Sequence, residues 1–296
     1  MKILVIPDTQ IKPEVELQYL NCIGQYIVDT KPDHIVMLGD LADFQSISTH
    51  NTPYEQEGLR LIDDLNAART GLGLLMQPMG EYNEHMREIK KKMYRPKLHI
   101  TLGNHEDRLT RYLHGHPELV GLIGEDVLGL GEYGFNVVPY KEVLTIEGVN
   151  FCHIFQTTAN GNPPSSARAL LNKRVTSCIM GHRQGLDWAH TYTPDGKKIS
   201  CIICGSCYDH DEPYMMQMNR THWRGLIMLD NVQDGSFDEC FIPLRWIKDT
   251  YNFNEDESWT YVSNRRAGAS EPEFGIMEGV GVINEDNLED DDGNTD

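Results

Sequence analysis

Long apolar runs are missing from this 296-residue chain. No stretch approaches the roughly 20 consecutive apolar residues needed to span a bilayer, so no membrane partner is expected. The opening MKILVIPDTQ carries one lysine and a short apolar run, too brief for a secretory leader. The seven cysteines have no paired-spacing framework, and a chain of this size needs no covalent staples. A cytoplasmic setting with reduced thiols is the expectation. Basic residues are also scarce, 26 Lys and Arg against 45 Asp and Glu, for a net charge of −19. That balance gives no sign of a broad cationic face for a nucleic-acid backbone.

Part of the acidity is local. Residues 285–296, EDNLEDDDGNTD, hold seven carboxylates and no base. Such a run repels itself, has almost nothing to bury and is expected to stay disordered. The best basic run, REIKKKMYRPK (87–97), reads as a solvated helix end. The apolar fraction of 40% is that of an ordinary protein with a sizeable core.

The pattern alternates strands with helices. KILVIPD and KPDHIVMLGD are short β-type runs ending in polar turns. Between them, Leu17, Leu20, Ile23, Ile27 and Val28 have helical spacing over Val15 to Asp29. Together they make a βαβ unit with parallel strands and a right-handed crossover. Residues 44–94 read as mostly helical, and KLHITLGNHE gives a third strand. VNFCHIF, SCIMGH and KKISCIICGS are further buried-strand candidates, and RGLIMLDNVQDGSFDECFIPL reads as a hairpin.

Chemistry enters where the polar residues fall. Asp8, Asp40 and Asn104 follow the first three strands at their C-terminal ends, and His153 and His182 accompany two later ones. Ligands bind at that edge of open α/β sheets. One aspartate there is usually a cap or turn former; five oxygen or imidazole donors on comparable edges suit a divalent cation of the Mn, Fe, Zn or Mg type.

The order of these residues resembles that of the calcineurin-like metallophosphoesterases across roughly residues 1–245. The family pattern D-x-H, G-D-x-x-D, G-N-H-[DE], H, G-H-x-H is met by Asp8-Thr9-Gln10, Gly39-Asp40-Leu41-Ala42-Asp43, Gly103-Asn104-His105-Glu106, His153 and Gly181-His182-Arg183-Gln184. Glutamine in place of histidine resembles members encoded by bacteriophages, which would place the protein in the host cytoplasm. The resemblance implies a four-layer α/β/β/α sandwich with a metal site at the C-terminal ends of its strands. It divides the chain into a catalytic domain at 1–250, with a helical insertion at 44–95, and an acidic extension at 251–296.

The resemblance also implies roles. Asp40 would bridge two divalent metal ions. Asn104, His153 and His182 would complete one shell; Asp8, Gln10 and Gln184 would complete the other. His105 would act as general acid or stabilise phosphate charge, oriented by Asp43. Two cations about 3.5–4 Å apart polarise a phosphoryl group and hold a hydroxide for in-line attack. Gln10 and Gln184 offer neutral oxygens where imidazoles are usual, which favours Mn²⁺ or Mg²⁺ over Zn²⁺. Arg108 and Arg183, beside the motifs, are candidate phosphate contacts. The expected substrate is a phosphoester, with a phosphodiesterase or nuclease acting on nucleic acid or nucleotides ahead of a phosphomonoesterase, and a catalytically weak binding module third.

Other residues invite plainer readings. His34 and His99 lie within strand patterns and read as structural, and His190 as an ordinary partly buried residue. Cys201, Cys204 and Cys207 superficially suggest a metal knuckle, but strand alternation puts the first two on opposite faces, as buried small hydrophobes.

Overall fold

The first two strands are buried along their whole length because both of their faces are apolar. In the computed structural model, which describes residues 1–157 and 161–251, β1 (Ile3–Ile6) pairs in parallel with β2 (His34–Met37). The crossover between them is α1 (Gln18–Thr30). β2 pairs in parallel with β3 (Lys97–Thr101), and β3 with β4 (Asn136–Val138). On the other side of β1, the hairpin of β10 (Gly225–Gln233) and β11 (Ser236–Pro243) runs antiparallel. This completes a six-stranded sheet in the order β11-β10-β1-β2-β3-β4.

A second sheet of five strands has the order β5-β6-β7-β9-β8. Its members are β5 (Leu144–Ile146), β6 (Val149–Cys152), β7 (Cys178–Met180), β8 (Leu186–Tyr192) and β9 (Lys198–Cys204). Residue alternation then assigns every layer. Ile3, Val5, Val36 and Leu38 face Val149, Phe151, Ile179 and Ile202 in a core between the sheets. Leu4, Ile6, Ile35 and Met37 face the opposite way, onto α1 and the long helix α2 (Leu61–Glu88). The outer face of the second sheet buries Cys152, Cys178, Met180 and Cys201 under α4 (Ala167–Arg174). The result is the expected α/β/β/α sandwich.

Two helices flank the first sheet further. α3 (Glu106–Gly115) follows β3, and α5 (Leu244–Thr250) closes the described chain. The helical reading of residues 44–94 holds only from Leu61 to Glu88. Before that the chain makes a 3₁₀ turn at Gln45–Ile47 and a series of turns. Pro53 and the left-handed Gly58 interrupt a continuous helix, and Thr52 closes a local turn by donating its backbone N–H to Glu55 at 2.7 Å.

The cysteine run is distributed among three cores. Cys201 lies under α4, Cys204 between the sheets and Cys207 on the helix side of the first sheet. His34 and His99 stack at a ring distance of 5.2 Å on β2 and β3. Among the described residues no helix is long and apolar enough to cross a membrane. The acidic run at 285–296 lies outside the described residues.

Candidate metal centre

The parallel strands bring their following loops to one edge, and these loops are laced together. Gln10 donates its backbone N–H to the Asp40 carbonyl and Ile11 to that of Leu41, both at 2.8 Å, while Asp43 donates back to Ile11 at 2.8 Å. Asp8 and Gln10 are thereby fixed beside Asp40. Gln10, Asp40 and His182 all have left-handed backbone, with φ of 40°, 47° and 69°. Side-chain-bearing residues hold that conformation only where their surroundings enforce it, commonly at functional sites.

Glu106, at the start of α3, is the fastener that the sequence reading left without a role. Its buried carboxylate accepts from the backbone N–H of Asp40 at 2.9 Å and of Gly103 at 2.7 Å, and from Ala42 at 3.3 Å. An acidic residue in the first turn of a helix is ordinary on dipole grounds, so the motif letter at Glu106 carries no hint of this bracing role. Small residues make the remaining room. A Cβ on Gly103 would fall 2.1 Å from an Asp40 carboxylate oxygen, and one on Gly181 would fall 2.6 Å from Asp8. Gly103→Ala is therefore expected to displace Asp40 and cost about 1–3 kcal/mol as an overpacked site. A denaturation midpoint together with divalent-metal titration would check both effects.

Four expected ligands meet at one point. Asp40, His153 and His182 present donor atoms that all lie within 4.8 Å of one another. Asn104 Oδ1 stands 2.9 Å from His153 Nε2 and 2.8 Å from His182 Nδ1. His153, immediately past the end of β6, has its other ring nitrogen 2.6 Å from the Leu38 carbonyl, which orients the imidazole. Asp8 joins through one carboxylate oxygen, which accepts from the His182 backbone N–H at 3.1 Å. Its second oxygen and Gln10 Oε1 are buried without a hydrogen-bond partner among the described residues. Buried oxygens are rarely left that way unless something else satisfies them.

Electrostatics mark the same point. Burial pushes the Asp8 carboxyl up to about 7. Burial would raise Asp40 too, but His105 and His153 hold it well below the usual carboxylate range. His153 shows the converse: burial would lower it, yet Asp40 and Asp8 lift it to about 9. Burial, with His153 beside it, drives His182 down to about 4, leaving a neutral imidazole free to ligate. Buried carboxylates that draw a proton onto a histidine form a place where positive charge is strongly favoured. The donor set of carboxylate, amide oxygen and imidazole therefore fits a divalent cation.

Around this point sit the candidate acid and its supports. His105 Nδ1 is 3.0 Å from Asp43 Oδ1, and its Nε2 is 3.7 Å from Asp40 Oδ2. Arg108 is turned inward, donating to the Asp43 carbonyl at 2.5 Å and reaching His105 Nε2 at 3.2 Å. Arg183 is exposed and donates to the Pro164 carbonyl at 3.0 Å. Gln184 is anchored by its backbone carbonyl, which accepts from Trp223 at 2.8 Å. His190 is exposed on β8, away from the cluster. Lys12 and Glu212, which no local pattern singled out, form a buried ion pair at 2.8 Å with the ammonium 3.8 Å from Asp43.

The sequence pattern of the calcineurin-like phosphoesterase family matches residues 1–201. The chain belongs to this family. Members of this class are metal-dependent hydrolases of phosphoester bonds, and the chain is such a hydrolase, acting on a phosphoester substrate with divalent metal. As a calcineurin-like phosphoesterase it is similar to proteins of two phages. It is 29% identical to the Gene 54 protein of Mycobacterium phage L5 over 198 residues, 62% of this chain and 70% of that one. It is 28% identical to the Gene 54 protein of Mycobacterium phage D29 over 204 residues, 64% and 72% of the two chains. Among solved structures it is similar to Yfce, a phosphoesterase from E. coli, at 13% identity and a TM-score of 0.34, covering 82% of this chain and 100% of that one. A conserved protein from Streptococcus pneumoniae TIGR4, described as a predicted phosphoesterase, is 12% identical with a TM-score of 0.32, covering 82% and 90%.

Proposed function

We propose that the chain is a phosphodiesterase or nuclease, acting on nucleic acid or nucleotides through a dinuclear centre that favours Mn²⁺ or Mg²⁺ over Zn²⁺. One cation would be held by Asp40, Asn104, His153 and His182. The other would be held by Asp8, Gln10 and Gln184, together with Asp40. The observation that carries this reading is the pair of unsatisfied buried oxygens, Asp8 Oδ2 and Gln10 Oε1, beside a cluster whose other donors already converge. When bound, the ions supply Lewis-acid stabilisation of phosphoryl charge and activate water near neutral pH. The protein's own part is to fix the donors on a braced sheet edge and to hold a proton on His105 for the departing oxygen, with Asp43 orienting the ring. The catalytic domain spans residues 1–250, residues 251–296 are an extension, and the setting is the cytoplasm, that of the host for a phage-encoded protein.

Charge supports a diester over a monoester. A phosphomonoester carries about two negative charges at neutral pH; a diester carries one. The cations flanking the site are already engaged: Lys12 by Glu212 and Asp43, Arg108 by Asp43, Arg111 by Asp107, and Arg183 by a carbonyl. Among the described residues, few flanking cations remain to clamp a dianion. Metal-stripped protein, supplied in turn with Mn²⁺, Mg²⁺, Zn²⁺ and Ni²⁺, is expected to hydrolyse bis-p-nitrophenyl phosphate faster than p-nitrophenyl phosphate, best with Mn²⁺ or Mg²⁺. Faster turnover of the monoester would overturn the substrate reading. Joint replacement Gln10→His and Gln184→His should move the metal preference toward Zn²⁺; an unchanged preference would remove these glutamines from the second shell.

A further inference from the structure

A side chain at the rim of the centre has been given no role by the metal chemistry. β4 is the outermost parallel strand beside β3, and the chain leaves it on the same edge as Asn104, with Leu102 donating to the Val138 carbonyl at 2.9 Å. A turn follows, closed by Glu142 donating to Pro139 at 3.0 Å and containing left-handed Lys141. Tyr140 sits in this turn. Its ring centre is 6.5 Å from that of His153, tilted by 54°, and one side of it packs on the helix-side core. The ring remains half-buried, and its hydroxyl makes no hydrogen bond to the described residues. Lys141 Nζ lies 4.7 Å from the ring centre.

We propose that Tyr140 is a specificity-determining residue that stacks on the base of a nucleoside esterified to the scissile phosphate, so that the enzyme selects nucleoside-bearing esters. The inference rests on the phosphoester reading of the centre and adds the residue that selects the flanking nucleoside. A phosphoryl group held among Asp40, His153 and His182 brings its substituent out past a ring that adjoins a metal-ligand histidine. Packing closes only part of that ring, and the ammonium over it belongs to an exposed lysine whose side chain can swing aside for a base. Stacking on a tyrosine is tolerant of base identity, since every base has a π-face. The adjacent Lys141 contributes charge without reading sequence. Burial, with Asp107 and Asp40 nearby, pushes the phenol up to about 12, so the ring meets substrate uncharged.

The test compares two diesters sharing one leaving group: the p-nitrophenyl ester of thymidine 5′-monophosphate and methyl p-nitrophenyl phosphate. Tyr140→Leu should lose about tenfold or more in kcat/KM on the nucleoside ester, with the methyl ester little changed. Tyr140→Phe should keep the wild-type ratio. Tyr140→Trp, with a larger stacking face, should keep or raise it, and it decides the matter if the leucine variant fails to fold. Equal losses on both esters, or a ratio indifferent to leucine or lowered by tryptophan, would overturn the proposal. If the enzyme hydrolyses only monoesters, the diester reading has failed but this one has not. The same ratio is then measured with thymidine 5′-monophosphate and glycerol phosphate.

Discussion

Replacing His105 with alanine is expected to lower kcat by about 10²–10⁴-fold on a diester with a poor, alkoxide-type leaving group, and by much less on a p-nitrophenyl ester. The difference follows from what the side chain supplies. A poor leaving oxygen must receive a proton as its bond to phosphorus breaks, whereas p-nitrophenolate departs without one. His105 is built to hold that proton. Burial alone would lower its pKa, but in the metal-free protein Asp40 and Asp43 outweigh burial and raise it above the ordinary value, against an opposing push from Arg108; with Asp40 committed to metal, Asp43 is the carboxylate left to hold the proton. The backbone N–H of His105 donates to Asp40 at 2.9 Å, fixing the ring between the two carboxylates.

The sign of the pH dependence follows from the same shift. The proton-bearing form persists below the raised pKa and is lost as pH climbs through it. Rates on poor leaving groups should therefore fall on an alkaline limb, and that limb should be absent from the alanine variant. Asp43→Asn removes one of the acids that lift His105 while leaving Arg108 and Lys12 in place, so it should move the limb to lower pH. Equal losses on both leaving groups would sink the acid role and make His105 a support of the metal shell.

Much of this site is legible in the sequence because each ligand is announced by local physics. An apolar run that cannot continue past a polar turn fixes the strand end, and the side chain placed there faces the ligand edge. Asp8, Asp40 and Asn104 are found that way. The glycines before Asp40, Asn104 and His182 are legible as motif letters, but two of their reasons appear only in three dimensions, where Gly103 and Gly181 leave room for the Asp40 and Asp8 carboxylates. Residues 44–60 depart from the helix expected of them because Pro53 and Gly58 break the segment. Tyr140 carries no local signal at all. Its position depends on β4 joining the sheet beside β3, a pairing between residues 99–101 and 136–138.

Lys12 and Glu212 are the furthest from legibility, 200 residues apart in the chain, and they support the largest expected effect on stability. Lys12→Met should cost about 3–5 kcal/mol, because removing one partner of a buried ion pair strands the other. Both side chains are nearly closed to solvent, at 8% and 2% exposure. The ammonium donates to both Glu212 oxygens, at 2.8 and 2.9 Å, and lies 3.8 Å from Asp43. Without it, two buried carboxylates lose a shared counter-charge; His210, 2.8 Å from Glu212, is the nearest remaining relief. The double replacement Lys12→Met with Glu212→Met should recover most of the loss, since an apolar pair of similar volume has no charge left to desolvate.

The pH dependence of that stability has a fixed sign. Burial would raise Glu212, but His210 and Lys12 hold it below the ordinary glutamate value. Its contribution is thus complete above the unfolded value and fades as pH falls through the depressed folded one. The deficit of Lys12→Met should accordingly be largest near neutrality and shrink in acid, where Glu212 takes up a proton in the variant first. Urea unfolding of the three proteins across pH reads all of these terms. A single-variant loss below about 1 kcal/mol, the level of a surface pair, would show that the bridge carries little. A double variant less stable than the single would show that Glu212 is held by something other than Lys12.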